Sequence, residues 1–486
     1  MVHPLPVNSK ARAQGCTYDT PIENRQDVYV VSANDGMVHI LNKNGQEEMA
    51  LMLSSAIPSL SEYAQPGYIH KYLNDGTPIV AEVCTGSTST PNREARSIAV
   101  GSAGKGGAAI YAIDVTDTSN ITSNNLLWEF TGQDDAGFGI AAGVPSVAKT
   151  GEGKAIAIMS SGYNNSTNDG SIFILDLNKP KGTAWIQGSN YIKVQLRDAN
   201  TGVTSPSGVG DVRVYDSNND GVPDKLYVGD YNGNLWRIKY TASADNNGLG
   251  TWDVSLLYKA PAGAPPITTK PDVHNDYVIA GTGQYMTNDA LDKKQQNYAY
   301  GFIDTGETID GMGALLEQSI DKNVTAQTDL DKVGASGWTI TRNEMQSNHK
   351  GWYLKLPLGQ IVSSDANVYR GKVAQFQSVA RTDETNVCTP TGSTSFISVD
   401  LKNGGLYRAP IYDTNFDGKY DDKDVNIGMM TYKDNIAPTK GSVGATINGR
   451  NTTAVVALGT KGTISFLINP LGDDPILRRL SWREIF

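Results

Sequence analysis

The sequence is poor in several kinds of residue, and each scarcity excludes a class of protein. It has only three cysteines and five histidines among 486 residues, so we expect neither a dense disulfide framework nor a histidine-rich metal centre. No apolar run approaches the roughly 18 residues of a membrane-spanning helix. The net charge is −10, which argues against a nucleic-acid-binding surface, because such surfaces are strongly basic.

The cysteines Cys16, Cys84 and Cys388 allow one disulfide bond with one cysteine left over. Cys84 with Cys388 is the pairing that we favour, although three unpaired thiols agree with the sequence equally well. The cysteines therefore do not identify the compartment in which the protein works.

The residues that are abundant favour short strands and tight turns. The chain has 51 glycines and many Asn, Asp, Ser and Thr residues, a composition typical of all-β proteins. One unit recurs: a β-branched run, a glycine-containing turn and a second apolar run. In the first unit, residues 27–41, the turn is Asn34-Asp35-Gly36, and Asp-Gly between two apolar runs strongly predicts a hairpin. Further strand pairs are predicted at 97–102 with 108–115, 155–160 with 171–177, 226–229 with 235–238, 278–283 with 298–304, and 455–459 with 463–467.

These units recur at intervals of about 40 to 60 residues, as the blades of a β-propeller do. We therefore predict an all-β fold, a modified β-propeller of about seven blades with inserted loops, over residues 27–486. Residues 1–26 are interpreted as a linker or an entering strand, and residues 480–486 as a closing strand. Two stretches break the pattern and are interpreted as insertions, at about 306–350 and about 411–433.

A loop rich in oxygen-bearing side chains precedes one of the predicted hairpins. Its predicted ligands, at positions 1, 3, 5, 7 and 9, are Asp216, Asn218, Asp220, the carbonyl group of Val222, and Asp224. Gly221 at position 6 allows the sharp turn that wraps such a loop around one hard cation. Calcium suits the loop because it accepts six to eight oxygens in flexible geometry. We call residues 216–224 loop 1; it is EF-hand-like, but a strand follows it instead of a helix.

A second loop repeats this spacing and strengthens the calcium prediction. Its predicted ligands, at positions 1, 3, 5, 7, 9 and 12, are Asp413, Asn415, Asp417, the carbonyl group of Lys419, Asp421 and Asp424. Gly418 stands at position 6, and Asp replaces the usual Glu at position 12. We call residues 413–424 loop 2.

The alternative for each loop is an Asn/Asp-rich turn without an ion, because these residues favour turns through their own backbone hydrogen bonds. We favour calcium because three carboxylates within nine residues repel one another unless a cation neutralises them. Loose calcium sites are typical of extracellular modules, which bind at about 10⁻⁴ to 10⁻³ M. The amino terminus lacks the order of a signal peptide. We therefore interpret the chain as a fragment of an exported protein.

Four segments together resemble the carboxy-terminal β-propeller of the PilC/PilY family, which comprises type IV pilus-associated adhesins and biogenesis factors. They are residues 31–40, 101–115, 215–238 and 481–484. The most specific piece is loop 1 joined directly to the hairpin Tyr-Val-Gly-Asp-Tyr-Asn-Gly-Asn-Leu-Trp, residues 227–236. The resemblance covers nearly the whole chain.

The resemblance implies a function in binding and a location at the bacterial surface or the pilus tip. Family members promote pilus biogenesis by opposing retraction, and they contribute to twitching motility and host-cell attachment, with calcium modulating these roles. The implied partners are minor pilins and an unidentified host-cell receptor, and the family's calcium site falls on loop 1. The family's own amino-terminal region is absent from this chain. No Arg-Gly-Asp motif is present, so integrin binding is not carried over.

An enzyme is the alternative, since the repeats also resemble pyrroloquinoline-quinone dehydrogenases, which likewise hold calcium. The adjacent cysteine pair of many such enzymes is absent. The paired acids Asp134 and Asp135 are interpreted as a solvated turn. The histidines are interpreted as surface or blade residues without metal-ligand spacing: His3, His39, His70, His274 and His349. We therefore expect no catalytic residues.

Overall fold

The computed structural model describes most of the chain and divides it into two compact units. The described residues are 16–17, 27–63, 65–69, 71–85, 93–118, 120–284, 295–381, 392–417, 419–432, 443–447, 450–459 and 462–468. One unit contains the described residues up to Tyr231 together with Trp236–Ser255, and the other contains Asn232–Leu235 and the described residues from Leu256 onward. Within the described ranges, no helix has both the length and the apolar character needed to cross a membrane.

The first three sheets lie in the first unit. The three-stranded sheet contains β2 (Val28–Ser32), β3 (Met37–Asn42) and β4 (Glu47–Met52). The next contains β1 (Cys16–Thr17), β5 (Ile79–Thr85), β6 (Arg93–Ser102), β7 (Ala109–Asp114) and β8 (Leu126–Thr131). The third contains β9 (Ser146–Lys149), β10 (Ala155–Ser160), β11 (Ser171–Asp176) and β12 (Tyr191–Gln195).

A fourth sheet contains the hairpin that follows loop 1. Its strands are β13 (Arg213–Tyr215), β14 (Lys225–Gly229), β15 (Leu235–Thr241), β16 (Thr251–Lys259) and β20 (Ile309–Asp310). Short helical turns occur elsewhere, and these are α1 (Leu60–Tyr63), α2 (Asp245–Gly248) and 3₁₀ turns at Ile57–Ser59, Gly104–Gly106, Ser123–Asn125, Met312–Ala314, Thr325–Gln327 and Leu330–Val333.

The second unit contains an 11-stranded sheet. Four of its strands are β17 (Asp272–His274), β18 (Tyr277–Gly281), β19 (Tyr298–Ile303) and β23 (Gly351–Lys355). Five more are β24 (Ile361–Val362), β25 (Asn367–Tyr369), β26 (Val373–Arg381), β27 (Gly392–Asp400) and β28 (Met429–Tyr432). The hairpin of β21 (Leu316–Asn323) and β22 (Ala335–Ile340) joins the two groups, because β21 runs parallel to β23 and β22 antiparallel to β28.

The last described strands, β29 (Val443–Ile447), β30 (Arg450–Gly459) and β31 (Gly462–Ile468), form a three-stranded antiparallel sheet. The described strands thus form six sheets, and the 11-stranded sheet contains two four-stranded groups, β17–β19 with β23 and β24 with β26–β28, joined by the β21–β22 hairpin. The number of about seven blades stays a prediction.

Apolar strands form the cores of both units because their side chains are buried on both faces. In the first unit, β10 and β11 are buried along their whole length and pair in antiparallel register. Phe130, Phe138 and Phe173 pack together there, with ring centroids 5.2 to 5.4 Å apart. In the second unit, the fully buried Trp352 donates a hydrogen bond to the Leu401 carbonyl oxygen at 2.9 Å.

The predicted hairpins are confirmed, and the first shows why its turn requires glycine. Strands β2 and β3 pair from Val28 opposite Asn42 to Ser32 opposite Val38. Gly36 in the connecting turn has φ of +89°, a conformation that side chains disfavour. A Cβ atom there would lie 2.8 Å from the Cβ atom of Ala56.

Several predicted segments lie partly or wholly outside the described residues. Within 1–26, only the short strand β1 is described, and it runs parallel to β6. The stretch predicted as the first insertion contains β20 to β22, and the second ends in β28. The predicted closing strand at 480–486 lies outside the described residues. Cys84 forms a disulfide bond, but Cys388, its predicted partner, lies outside them too.

Candidate functional site

Loop 1 is the tip of a strand pair. Strands β13 and β14 are antiparallel, with Tyr215 opposite Lys225, and the Asp224 N–H donates to the Tyr215 carbonyl oxygen at 2.8 Å. The Lys149 N–H donates to the Gly221 carbonyl oxygen at 3.0 Å, which fastens the loop to the end of β9. The two ends of the loop are therefore held together by the sheet itself.

Three predicted ligands of loop 1 lie together. Asp216 accepts hydrogen bonds from the N–H groups of Asp220, at 3.3 Å, and Gly221, at 2.8 Å. The Asn218 side-chain oxygen accepts from the same Asp220 N–H at 3.0 Å, and its amide nitrogen donates to Asp220 Oδ2 at 3.0 Å. Positive φ angles at Asn219 and Gly221, +58° and +85°, produce the tight curve. The carboxylates thus already fold the backbone around them.

The third acid of loop 1, Asp224, has a different partner. Oδ2 of Asp224 accepts hydrogen bonds from both the N–H and the hydroxyl group of Ser217, each at 2.6 Å. Asp224 also links the loop to the following hairpin, because its carbonyl oxygen accepts from the Tyr240 N–H at 3.1 Å. The Val222 N–H donates to Asp220 Oδ1 at 2.8 Å. The acid at position 9 therefore closes the loop onto position 2.

Loop 2 has a buried carboxyl group at each end. Asp413 is 8% exposed and Asp424 is 6% exposed. Oδ1 of Asp424 accepts from the Thr414 N–H at 2.8 Å and the Thr414 hydroxyl at 3.3 Å, while Oδ2 accepts from the Asp421 N–H at 3.1 Å. The Asp329 N–H in turn donates to the Thr414 carbonyl oxygen at 2.8 Å. Loop 2 is therefore fastened to the unit at its first residues.

The middle of loop 2 consists of successive turns. The Asn415 side-chain oxygen accepts from the Asp417 N–H at 2.9 Å, and Asp417 Oδ1 accepts from the Lys419 N–H at 2.8 Å. Asp421 Oδ1 accepts from the Lys423 N–H at 2.9 Å. Gly418, the predicted turn residue, lies outside the described residues.

Tyr420 was not identified from the sequence, yet it lies beside the predicted ligands of loop 2. Burial raises the pKa of its hydroxyl group, and the carboxylates of Asp413 and Asp424 raise it further. Among the described residues, this buried hydroxyl has no hydrogen-bond partner. A buried polar atom in this position favours an additional polar occupant, either water or an ion. Tyr420 stands at position 8, which is not a ligand position, so the ligand spacing alone could not identify it.

The donor sets fit calcium in their chemistry but do not form a preassembled cage. In the part of the chain that the structure describes, no three Asp, Glu, His or Cys side chains are grouped closely enough to hold a metal ion. In loop 1, two of the predicted ligands, Asn218 and the Val222 carbonyl group, are not carboxylates. The carboxylate of Asp224 is hydrogen-bonded to Ser217. Binding would require carboxylate oxygens to converge further.

The paired acids outside these loops have structural roles. Asp134 Oδ2 accepts from the Thr131 N–H at 2.8 Å, and Asp135 accepts from the Gly137 N–H at 2.8 Å and the Tyr191 hydroxyl at 3.1 Å. These contacts form a turn, as predicted, but only Asp134 is solvated, because the Asp135 side chain is 12% exposed and lies 3.6 Å from Lys193 Nζ.

An exposed apolar surface between β4 and β5 was not predicted either. We call it the 57–72 surface, and its large exposed side chains are Ile57, Leu60, Tyr68, Ile69 and Tyr72. Ile69 is 80% exposed. Asn34 holds the segment in place, because its side chain accepts from the Leu73 N–H at 2.8 Å and donates to the Lys71 carbonyl oxygen at 3.1 Å. Exposed apolar side chains concentrated in one short segment are available for contact with another protein.

Comparison with known proteins identifies the family. The model of the PilY1 β-propeller domain matches residues 8–328, about two thirds of the 486-residue chain. The type IV pilus biogenesis factor PilY1 homolog of Xylella fastidiosa is 28% identical over 481 residues, which is 95% of this chain and 35% of the relative. PilY1 of Pseudomonas aeruginosa strain PAO1 is 28% identical over 443 residues, 81% of this chain and 36% of the relative.

A solved structure supports the same fold. The crystal structure of the Pseudomonas aeruginosa PilY1 C-terminal domain matches with a TM-score of 0.69 at 23% identity, covering 92% of this chain and 93% of that one. The predicted all-β propeller fold is therefore confirmed. The chain spans about a third of the length of these curated relatives. It belongs to the family of PilY1 β-propeller domains.

Proposed function

We propose that this chain is the β-propeller module of a type IV pilus biogenesis factor and that it works by binding, without catalysis. The observation that carries this proposal is the family match over residues 8–328. The relatives from Xylella fastidiosa and Pseudomonas aeruginosa are both named as type IV pilus biogenesis factors. Because a fold can host many functions, the proposal depends on this family and not on the propeller alone.

Calcium is the proposed cofactor of both loops. In loop 1 the proposed ligands are Asp216, Asn218, Asp220, the Val222 carbonyl group and Asp224; in loop 2 they are Asp413, Asn415, Asp417, the Lys419 carbonyl group, Asp421 and Asp424. The clustering of Asp216, Asn218 and Asp220 supports the first set. The buried end carboxylates, beside the Tyr420 hydroxyl, support the second. Calcium would neutralise acids that otherwise repel one another.

The proposed place of action is the bacterial surface at the pilus tip. The proposed partners are minor pilins, for pilus biogenesis against retraction and for twitching motility, and a host-cell surface receptor, for attachment. The 57–72 surface supports a binding role because Ile69 is 80% exposed and Tyr72 is 49% exposed. Calcium would act by fixing loop 1 at the tip of the β13–β14 pair.

A genetic test addresses the proposed function. In a strain that lacks the full-length protein, we expect surface pili and twitching to be lost, and complementation with the intact gene to restore them. Complementation with Asp216→Ala should restore them poorly, whereas the exposed Asp422→Ala variant should restore them fully. Normal pili and twitching in the deletion strain would refute a role in pilus biogenesis. Loss of host-cell attachment in a variant that keeps its pili would separate adhesion from assembly.

The quinone-dependent dehydrogenase alternative has a direct test. Purified protein mixed with pyrroloquinoline quinone, calcium, an alcohol and a dye acceptor should not reduce the dye. Quinone-dependent dye reduction would overturn the non-catalytic part of the proposal and leave the family assignment unchanged.

A further inference from the structure

The first hairpin places one histidine between two carboxylates. His39 lies on β3, whose neighbouring residues Val38 and Ile40 are fully buried on the opposite face. Asp35 lies in the β2–β3 turn, and Glu47 begins β4. The three side chains therefore come from the turn, the middle strand and the outer strand of a single sheet.

Both ring nitrogens of His39 are in contact with an acid. Nδ1 lies 2.6 Å from Glu47 Oε2, and Nε2 lies 3.0 Å from Asp35 Oδ2. A neutral imidazole has one N–H donor and one acceptor, so it can donate to only one carboxylate. The imidazolium form donates to both. The geometry of the two contacts is therefore satisfied only by the charged ring.

We propose that Asp35, His39 and Glu47 form a protonation-dependent clamp that fastens the start of β4 to the β2–β3 turn and opens when the ring loses its proton. Glu47 is the arm that is released. Both side chains are about half exposed, 46% for Asp35 and 50% for Glu47, but Asp35 stays in place because its Oδ1 also accepts from the Met37 N–H at 2.9 Å. Among the described residues, the Glu47 side chain has His39 as its one hydrogen-bond partner.

On the neighbouring strands β2 and β4, the charged residues are Glu47 and Glu48, and Glu48 contacts Asn42 instead of His39. The residues paired with His39 are Val31 on β2 and Ala50 on β4, and both are uncharged. The acids that face the ring are Asp35 from the turn and Glu47 from β4.

The pKa of His39 is shifted in the direction that the clamp requires. Burial lowers this pKa, but the hydrogen bonds and negative charges of Glu47 and Asp35 outweigh burial, so the net shift is upward. A raised pKa in the folded state means that the clamp stabilises the hairpin fully below the unfolded value of about 6.5. That stabilisation is lost as the pH rises through the folded pKa.

The clamp shares its turn with the 57–72 surface. Asn34, which precedes Asp35, binds the backbone at Lys71 and Leu73 through its side chain. The protonation state of His39 therefore acts on the same turn that anchors this exposed apolar surface.

Proton NMR titration of the histidine rings tests the clamp, with His39→Gln used to assign the signal. We expect the pKa of His39 to lie above about 6.5 and to fall in Glu47→Gln. Asp35→Asn, whose amide oxygen still accepts from the Met37 N–H, should lower it as well. Glu48→Gln is the matched control, because Glu48 contacts Asn42 at 2.7 Å, and it should leave the pKa unchanged.

Amide hydrogen exchange provides a second test. If Glu47 only stabilised the fold, its substitution would change exchange by the same amount at every pH. Below the pKa of His39, the β4 amides should exchange more slowly in the unaltered chain than in Glu47→Gln at the same pH. Above that pKa the two proteins should exchange equally. A His39 pKa at or below about 6.5, a pKa insensitive to Glu47→Gln, or a pH-independent exchange difference would each overturn the clamp.

Discussion

Loops 1 and 2 share one ligand spacing but are closed by different acids. In each loop, a carboxylate near the carboxyl-terminal end accepts hydrogen bonds from the backbone N–H and the hydroxyl group of the residue at position 2. That carboxylate is Asp224 at position 9 in loop 1 and Asp424 at position 12 in loop 2. The hydroxyl residues are Ser217 and Thr414. A spacing motif therefore predicts which oxygens are present, whereas the acid that closes the loop depends on the supporting structure.

The supporting structure differs in a simple way. Loop 1 joins two strands that pair directly at Tyr215 and Lys225, so the sheet brings its ends together and Asp224 remains partly exposed. Loop 2 begins after the buried Tyr412 and ends before β28, with no strand pair at its neck among the described residues. Its buried Asp424 performs the closure that the strand pair performs in loop 1.

The largest expected effect tests this difference. Asp424→Ala, in chelator and without calcium, should lower the free energy of unfolding by about 3 kcal/mol, because it removes a buried carboxylate that accepts three hydrogen bonds. Asp224→Ala should cost only about 1 kcal/mol, since water can replace its contacts to the exposed Ser217. Urea unfolding measures both values, with Asp422→Ala as the exposed control. Equal losses for the two loop variants would contradict the comparison.

The sequence predicted the elements of this region better than their connections. The hairpin of β14 and β15 and the two acidic loops were predicted because strand patterns and turn residues act locally. The choice between Asp224 and Asp424 as the closing acid was not predictable, because both loops carry an acid at position 9 and the choice depends on burial. Tyr420 was missed for the same reason.

The 57–72 surface shows a second limit of sequence reasoning. Its apolar residues are separated by prolines and turns, so they show no strand or helix period. The end of the segment is held by long-range hydrogen bonds from Asn34, 37 residues before Lys71 and 39 before Leu73. His39 was interpreted as a surface or blade residue, and its two carboxylate contacts likewise require the folded hairpin to bring Glu47 beside it.

Calcium titration gives the next largest effect and asks whether the loops bind independently. After chelation, calorimetry should detect two sites. Asp216→Asn should weaken binding at loop 1 by about 10-fold or more, because it removes one charged ligand, and it should leave loop 2 unchanged. Asp413→Asn should do the reverse. The asparagine side chains retain an oxygen acceptor, so the loss of calcium affinity is caused by the removed charge more than by a change of shape.

Two other outcomes of that titration would change the comparison. If neither loop bound calcium at millimolar concentration, both would be ion-free turns closed by their own hydrogen bonds. If Asp216→Asn abolished binding at both loops, the sites would be coupled and the loops could no longer be treated separately.

The smallest expected effect concerns position 4, where both loops adopt a left-handed backbone. Asn219 has φ of +58° and Phe416 has φ of +56°. Asparagine tolerates this conformation, whereas a bulky side chain is strained by it. Phe416→Asn should therefore raise the free energy of unfolding by about 0.5 to 1 kcal/mol, and Asn219→Phe should lower it by about 1 kcal/mol. Since Phe416 is 45% exposed, a loss of stability in Phe416→Asn would mean that its ring makes a contact worth more than the backbone strain it imposes.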